Sequence, residues 1–168
     1  MTKLVKSTLL NILLFLPYFF GINFFFFFLV SYVNDDKDQI NKLSHSIGLD
    51  EFQMYIFISI FIIISSIISF AIIVFLIKFA HFLFAKNTYK NDNNLLFSIL
   101  LGLTISKFSG ILLNMFFAFT SEETTITLSL FNIVLIPVFY YYFSKNVNLS
   151  VITVFVMIIM AIPTIVFI

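Results

Sequence analysis

The chain has 168 residues, of which 61% are hydrophobic and 10% are charged, and its mean hydropathy is +1.13. This composition excludes an ordinary soluble domain, in which about 25% of residues are charged. Because cysteine is absent, disulfides, thiol chemistry and zinc sites with cysteine ligands are excluded too. The net charge of +1 matters less than the loop in which each charge lies. We predict an all-α, polytopic integral membrane protein.

Polar breaks divide the chain into apolar segments, each long enough to cross a hydrocarbon core about 30 Å thick. A segment in lipid has to be helical, because a helix satisfies its own backbone donors and acceptors. We predict a single transmembrane domain over residues 1–168, a bundle of five helices with an outer loop over 34–53. The predicted helices cover residues 9–33, 55–77, 95–119, 126–143 and 149–168, and an interfacial tail extends the second helix to residue 85. The first segment is too long for the apolar region of a signal peptide.

The distribution of lysine predicts the orientation of the bundle. Six lysines fall on the side of the N-terminus: Lys3, Lys6, Lys78, Lys86, Lys90 and Lys145. Only Lys37 and Lys42 fall on the other side, together with seven of the eight acidic residues. Because lysine-rich loops stay in the cytoplasm, we predict that the N-terminus is inside and the C-terminus outside. A chain rich in lysine and phenylalanine but without arginine is typical of a low-GC bacterium, so the expected location is the bacterial plasma membrane.

The third segment carries a stripe of small residues at every fourth position. The small-residue stripe consists of Ser98, Gly102, Ser106, Gly110 and Asn114. Residues four apart lie on one face of a helix, and small side chains there let a second helix approach closely. We predict that the third helix lies at the centre of the bundle and packs against other helices through this stripe.

Lys107 lies beside the stripe, twelve residues from either end of the 95–119 segment. About 18 Å of helix separates it from each membrane surface, and a lysine side chain of about 6 Å cannot reach that far. Inserting the lysine costs about 2.5–3.5 kcal/mol, which an otherwise apolar helix tolerates, but the charge needs a destination. The alternative is that the segment sits deeper along the chain, with Lys107 at the membrane boundary. Only 14 residues would then remain before Ser121, which are too few to cross the membrane.

Three destinations for the Lys107 charge remain open. The first is a set of backbone carbonyls freed by prolines, together with Asn114 and serine hydroxyls; the second is a water-filled cavity; the third is loss of the proton. Prolines at positions 17, 137 and 163 are expected to kink the first, fourth and fifth helices and to free such carbonyls. An ionisable residue inside the membrane indicates a functional site. We therefore predict a ligand or polar site at Lys107, Asn114 and Ser106.

Motifs of catalytic and cofactor sites are missing from the chain. It has no glycine-rich phosphate loop and no H-E-x-x-H pair, and His45 and His81 are too few and too far apart for a metal centre. His81, at the inner boundary, is expected to be an interfacial residue. We predict a protein that is not an enzyme, with no cofactor, no metal and no nucleic-acid partner.

Residues 75–113, FLIKFAHFLFAKNTYKNDNNLLFSILLGLTISKFSGILL, carry a resemblance to a known family. The second helix runs into a basic elbow with an H-F-L-F phrase, and a polar loop then leads to a third helix that begins with phenylalanine and small residues. This layout, the helix count and the orientation resemble the Yip1 family of five-helix membrane proteins. Ala85 and Lys86 stand where that family often has two glycines, and the third helix has Lys107 nearby and no proline. The resemblance implies a membrane adaptor that acts through partners and has no catalytic residues.

Two functions follow from these features. The first is a Yip1-like scaffold that binds a membrane-protein partner, or a second copy of itself, through the small-residue stripe. The alternative is a transport component or a bacteriocin-immunity type of resistance protein, in which Lys107 binds an anionic group.

Overall fold

The computed structural model describes residues 15–28, 42, 44, 46–85, 93–117 and 119–167. Within them the protein is all α, without strands, which confirms the predicted class. The helices are α1 (Phe15–Phe28), α2 (Glu51–Phe84), α3 (Asn93–Phe117), α4 (Ser121–Ser144) and α5 (Val147–Phe167). The four helices α2 to α5 are long and apolar enough to cross a membrane, and the described part of α1 is shorter. Residues 9–14 and 29–33 of the predicted first helix, and most of the predicted 34–53 loop, lie outside the described residues.

Two helices, α2 and α4, begin four and five residues earlier than predicted, because each starts at a polar capping box. Asp50 caps α2: its Oδ1 accepts from the Gln53 N–H at 2.7 Å, and the Gln53 side chain accepts from the Asp50 N–H at 3.2 Å. Thr120 and Glu123 form the same reciprocal pair at the start of α4. Such a box satisfies backbone donors that the first helical turn leaves open. The helices therefore start at Glu51 and Ser121, not at residues 55 and 126.

The second helix continues without a break past residue 77, where the predicted interfacial tail begins. α2 continues for 34 residues to Phe84, where the Ala85 N–H bonds to the His81 carbonyl. Its last turns are held against α5, because His81 is 1% exposed and Ala80 is buried as well. At 1.5 Å per residue α2 is about 51 Å long, more than the hydrocarbon thickness, so a membrane would hold it tilted or with an end outside.

The centre of the bundle is α3, which forms a hairpin with α4. Half of the α3 span is buried, against 17% for α2, 22% for α4 and 28% for α5. The two helices touch closely at Gly102, where an added Cβ would lie 2.6 Å from Ile136 Cγ1 and 3.3 Å from the Ile136 backbone. At Gly110 an added Cβ would lie 2.8 Å from a Leu128 methyl. The expected central position of the third helix agrees with this burial.

A short turn and one histidine attach α5 to the rest. Lys145 adopts the left-handed conformation (φ 54°) and ends α4, and the Asn146 side chain accepts from the Leu149 N–H at 3.2 Å at the start of α5. His81 Nε2 lies 2.9 Å from the Leu149 carbonyl and 3.0 Å from Thr153 Oγ1. A carbonyl only accepts hydrogen bonds, so Nε2 carries the proton. One side chain thus links α2 and α5.

α1 lies between α2 and the hairpin. Phe15 makes an edge-to-face contact with Phe70 of α2, with ring centroids 5.1 Å apart. On its other side, Phe25 packs with Ile111 and Leu128 of the hairpin. α1 therefore separates part of α2 from α3 and α4, and this separation makes room for the cavity described next.

Candidate functional site

A cavity of about 590 Å³ lies between α1, α2, α3 and α4, and we call it the Lys107 cavity. Half of the residues that line it are phenylalanine or isoleucine. Its polar lining consists of Tyr18, Ser65, Ser66, Ser69, Lys107 and Asn132. A mostly apolar concave site with a few convergent polar groups, of this volume, is typical of small-molecule binding sites.

Lys107 faces this cavity because of its position on α3. The small-residue stripe faces α4, and Lys107 is rotated about 100° from Ser106 around the helix axis, so it projects toward α1. Leu103, one turn earlier, lines the same cavity. Lys107 is the fifteenth of the 25 residues of α3, so about 21 Å and about 15 Å of helix lie on its two sides.

The amine of Lys107 has an aromatic neighbour. Its Nζ lies 4.9 Å from the centroid of the Phe25 ring. Within the described part of the chain it makes no hydrogen bond and no ion pair, and no carboxylate is among the residues lining the cavity. A cation over a phenyl ring gains about 0.5–2 kcal/mol, which leaves the hydrogen-bonding capacity of the ammonium group unused. The cavity therefore presents an amine whose N–H groups have no hydrogen-bond partner among the described residues.

Asn132 of α4 adds an amide at the same depth as Lys107. The Ser106 hydroxyl donates to the Leu128 carbonyl at 3.3 Å, which fixes the register of α3 and α4. Lys107 follows Ser106, and Asn132 lies one turn beyond Leu128, so both side chains reach the cavity near one level. Asn132 Oδ1 is buried without a hydrogen-bond partner. An unsatisfied buried acceptor costs about 1–3 kcal/mol, so this atom needs a donor that the described residues do not provide.

Serines of α2 form the third side of the polar region. Ser66 is buried, and its hydroxyl donates to the Ile62 carbonyl at 2.6 Å, so its oxygen can still accept a further bond. Ser65 and Ser69 line the cavity beside it. The polar region thus offers a cation, an amide and hydroxyls.

The structure brings only one of the predicted site residues, Lys107, to this cavity. Ser106 is fully buried and is bonded to α4. Asn114 donates to the Gly110 carbonyl at 3.2 Å and to Thr124 Oγ1 at 2.7 Å, near the end of α3 and the start of α4. Neither lines the Lys107 cavity, because the stripe faces α4 and not α1.

All five residues of the small-residue stripe are buried inside the chain. Ser98 and Ser106 are fully buried, and Asn114 is 2% exposed. The helix that the stripe admits is α4 of the same chain. The stripe therefore has no open surface for a separate partner helix.

Sequence reasoning missed Asn132 and the α2 serines as site residues. A signal for each was present, since Asn132 interrupts the apolar 126–143 segment and Ser65, Ser66 and Ser69 cluster within a turn and a half of α2. What the sequence did not show is that the two groups face one cavity, because that depends on how α1 holds α2 away from the hairpin.

A larger groove of about 970 Å³ lies between the end of α2 and the first half of α5. The described residues that line it include Leu83, Phe84, Val151 and Phe155, with Asn148 among the polar ones and no charged side chain. It offers no chemistry beyond apolar contact. We therefore place the candidate site at the smaller Lys107 cavity.

His81 packs inside the bundle, and its expected position at the inner membrane boundary stays a prediction. It is buried, stacks on Tyr140 with ring centroids 5.5 Å apart, and bonds to α5. Its ring links α2, α4 and α5 at one end of the bundle.

No protein-family model, curated protein or solved structure matches the chain. The resemblance to the Yip1 family stays a prediction.

Proposed function

We propose that this protein is a non-enzymatic, multi-pass protein of the cell membrane that binds an anionic group at Lys107, as a transport or bacteriocin-immunity component would. The observation that carries the proposal is a lysine deep in an apolar helix that faces a cavity with an amide and serine hydroxyls but, among its described lining residues, no carboxylate. A buried cation without a counter-charge favours an anion, because attraction is strong where water is scarce.

A scaffold function needs a surface other than the small-residue stripe, whose five residues are buried against α4 and α1. Such a surface exists on α2, where most of the span is exposed and apolar. Lipid covers such a face equally well. The scaffold reading therefore has no specific contact behind it, and the Lys107 cavity carries the proposal.

The absence of cysteine makes a direct test available. Single cysteines replace Leu103 and Asn132, which line the cavity, and separately Ile111, a 5% exposed core residue that serves as the dry control. Small anionic and cationic methanethiosulfonate reagents are compared by their rates of modification. We expect both cavity positions to react, Ile111→Cys to stay silent, and the anionic reagent to react about tenfold or more faster in the cavity, relative to its rate at an exposed Lys145→Cys.

The charge preference should depend on Lys107 alone. In the Lys107→Gln background it should disappear at Leu103→Cys, and in the matched Lys145→Gln background, where an exposed lysine is lost, it should persist. Silence at both cavity positions, or equal rates for the two reagents in the parent chain, would contradict the proposal.

A further inference from the structure

We propose that the ligand of the Lys107 cavity is an acidic amphiphile, a molecule with one acidic headgroup and a long apolar tail. This inference rests on the proposed anion site and adds the class of molecule. The headgroup lies at Lys107 and Asn132, and the tail extends along the apolar wall toward Met54.

The distribution of polarity within the cavity is uneven. Apart from Tyr18, its polar lining residues are Lys107, Asn132 and three serines of α2. From Ser65 back to Met54 the lining residues of α2 are apolar, namely Phe57, Ile58, Phe61 and Ile62. Eleven residues of helix separate Ser65 from Met54, which is a length of about 16 Å. A small hydrated anion would make no contact with this section, whereas an apolar tail attached to the anion would lie along it.

α1 closes the apolar section on the other side. Phe25 and Phe26 line the cavity, and Phe26 packs against Met54. The next ring, Phe27, makes an edge-to-face contact with Tyr55 at 5.6 Å. Rings on two helices thus line an apolar groove that leads from the polar residues toward Met54. The groove is open along Phe57 and Phe61, which are 57% and 64% exposed, and an extended chain fits such a groove.

The polar end selects the headgroup. Lys107 supplies a cation and N–H donors, and Ser66 supplies a hydroxyl oxygen that can accept. Asn132 Oδ1 has no hydrogen-bond partner among the described residues, and a hydroxyl next to the ionised acidic group would supply the donor that it lacks. A neutral amphiphile would leave the ammonium group unpaired, so the acidic group is what the site distinguishes.

The test uses the absence of tryptophan from the chain. A single tryptophan replaces Phe26, a half-buried ring in the apolar section, and a separate variant carries it at Phe116, which is 78% exposed and lines neither cavity. The protein, purified in detergent, is titrated with dibromostearic acid, whose bromines quench tryptophan, and with the corresponding neutral dibromo alcohol. We expect saturable quenching by the acid at Phe26→Trp, non-saturable quenching at Phe116→Trp, and no saturable phase with the alcohol.

Two substitutions connect the binding to the headgroup site. Lys107→Gln should weaken binding of the acid at least tenfold, and Lys145→Gln should leave it unchanged. Asn132→Asp, nearly isosteric, puts a carboxylate into the cavity beside Lys107 and should abolish binding although the lysine is still present. This second variant keeps the test valid if the loss of the lysine disturbs folding.

The outcomes separate the two proposals. If the anionic thiol reagent reacts preferentially in the cavity but dibromostearic acid gives no saturable quenching, or the alcohol quenches equally well, the amphiphile is overturned and the anion site stands. If the acid binds to the Lys107→Gln and Asn132→Asp variants as tightly as to the parent chain, only the tail is recognised and the amphiphile inference is overturned. If the anionic thiol reagent shows no preference for the cavity and dibromostearic acid gives no saturable quenching, both proposals are overturned.

Discussion

Neighbouring residues of α3 have opposite surroundings. Ser106 is fully buried and bonds to the Leu128 carbonyl, while Lys107, rotated by about 100°, faces a cavity. The sequence predicted that Lys107 lies too deep to reach a membrane surface, since that follows from helix rise alone. It paired the lysine with Ser106 and Asn114, which are close along the helix. The amide in its cavity, Asn132, comes from α4. Only the register of α4 against α3 shows that Asn132 lies at the depth of Lys107.

The hydrogen bond between Asn114 and Thr124 is expected to couple α3 and α4 measurably. Asn114 Nδ2 donates to Thr124 Oγ1 at 2.7 Å, and that hydroxyl donates onward to the Thr120 carbonyl at 2.8 Å. Hydrogen bonds between membrane helices contribute on average about 0.6 kcal/mol and at most about 1.7 kcal/mol. A double-mutant cycle of Asn114→Leu and Thr124→Val, read from unfolding in mixed detergent, should give a coupling free energy in that range.

The control for this cycle is Ser129→Ala. Its hydroxyl donates to the Thr125 carbonyl within the same helix at a more exposed position, so its loss should change the unfolding free energy by less than about 0.5 kcal/mol. A coupling of zero between Asn114 and Thr124 would show that their contact does not stabilise the hairpin.

At the scale of the helix, the boundaries show what an apolar run predicts and what it does not. Length and hydropathy located all five segments, because only helices can cross lipid. They placed the start of α4 at residue 126, where the apolar residues begin. The helix itself starts at Ser121, because Thr120 and Glu123 cap it. The T-x-x-E pattern of a capping box was legible in the sequence, and it marks the end of the helix and not the edge of the hydrocarbon.

The close contact of α3 and α4 leads to a prediction at Gly102. Replacement by alanine puts a Cβ 2.6 Å from Ile136 Cγ1, with the Ile136 backbone also within 3.3 Å, so the helices have to move apart. Overpacking of this kind costs about 1–3 kcal/mol. We expect Gly102→Ala to lower the unfolding free energy in detergent by about that amount, measured by circular dichroism during a denaturing-detergent titration.

Gly21→Ala is the matched control. It also replaces a glycine within a helix, yet the added Cβ would lie 3.4 Å from the Phe108 ring, an ordinary contact. Since alanine favours a helix by about 1 kcal/mol over glycine, this variant should be as stable as the parent chain or more so. If the two variants behave alike, the α3–α4 contact is looser than its geometry indicates.

Across the described residues, several polar side chains are fully buried and many large apolar ones are exposed. Fully buried polar residues include Ser98, Ser106, Thr124 and Thr153, while phenylalanine rings on α2 such as Phe57 and Phe75 are more than half exposed. An exposed apolar surface of this extent suits lipid and not water. The hydrophobic composition predicted this arrangement, because it implied that the exposed apolar residues contact lipid. The bonds of His81 to α5 were not predictable, since they depend on the start of α5 lying against the end of α2.

The helix contacts group the charges of the described residues at two ends of the bundle. The bond from His81 to Leu149 and the stacking of His81 on Tyr140 bring the ends of α2 and α4 and the start of α5 together. Lys78 and Lys145 belong to this end. At the opposite end, Asn114 meets Thr124, near the acidic pair Glu122 and Glu123 at the start of α4.

The positive-inside rule then predicts that the end with Lys145 faces the cytoplasm and the end with Glu122 faces outward. Both side chains are exposed, so Glu122→Cys and Lys145→Cys should each be reachable by a thiol reagent. A membrane-impermeant maleimide applied to intact cells should label Glu122→Cys alone, and permeabilised cells should show both. The opposite pattern would invert the bundle. Inversion would also reverse access to the Lys107 cavity, because its Met54 end lies near the start of α2, on the same side as Glu122. The labelling therefore decides from which side of the membrane an acidic ligand could approach Lys107.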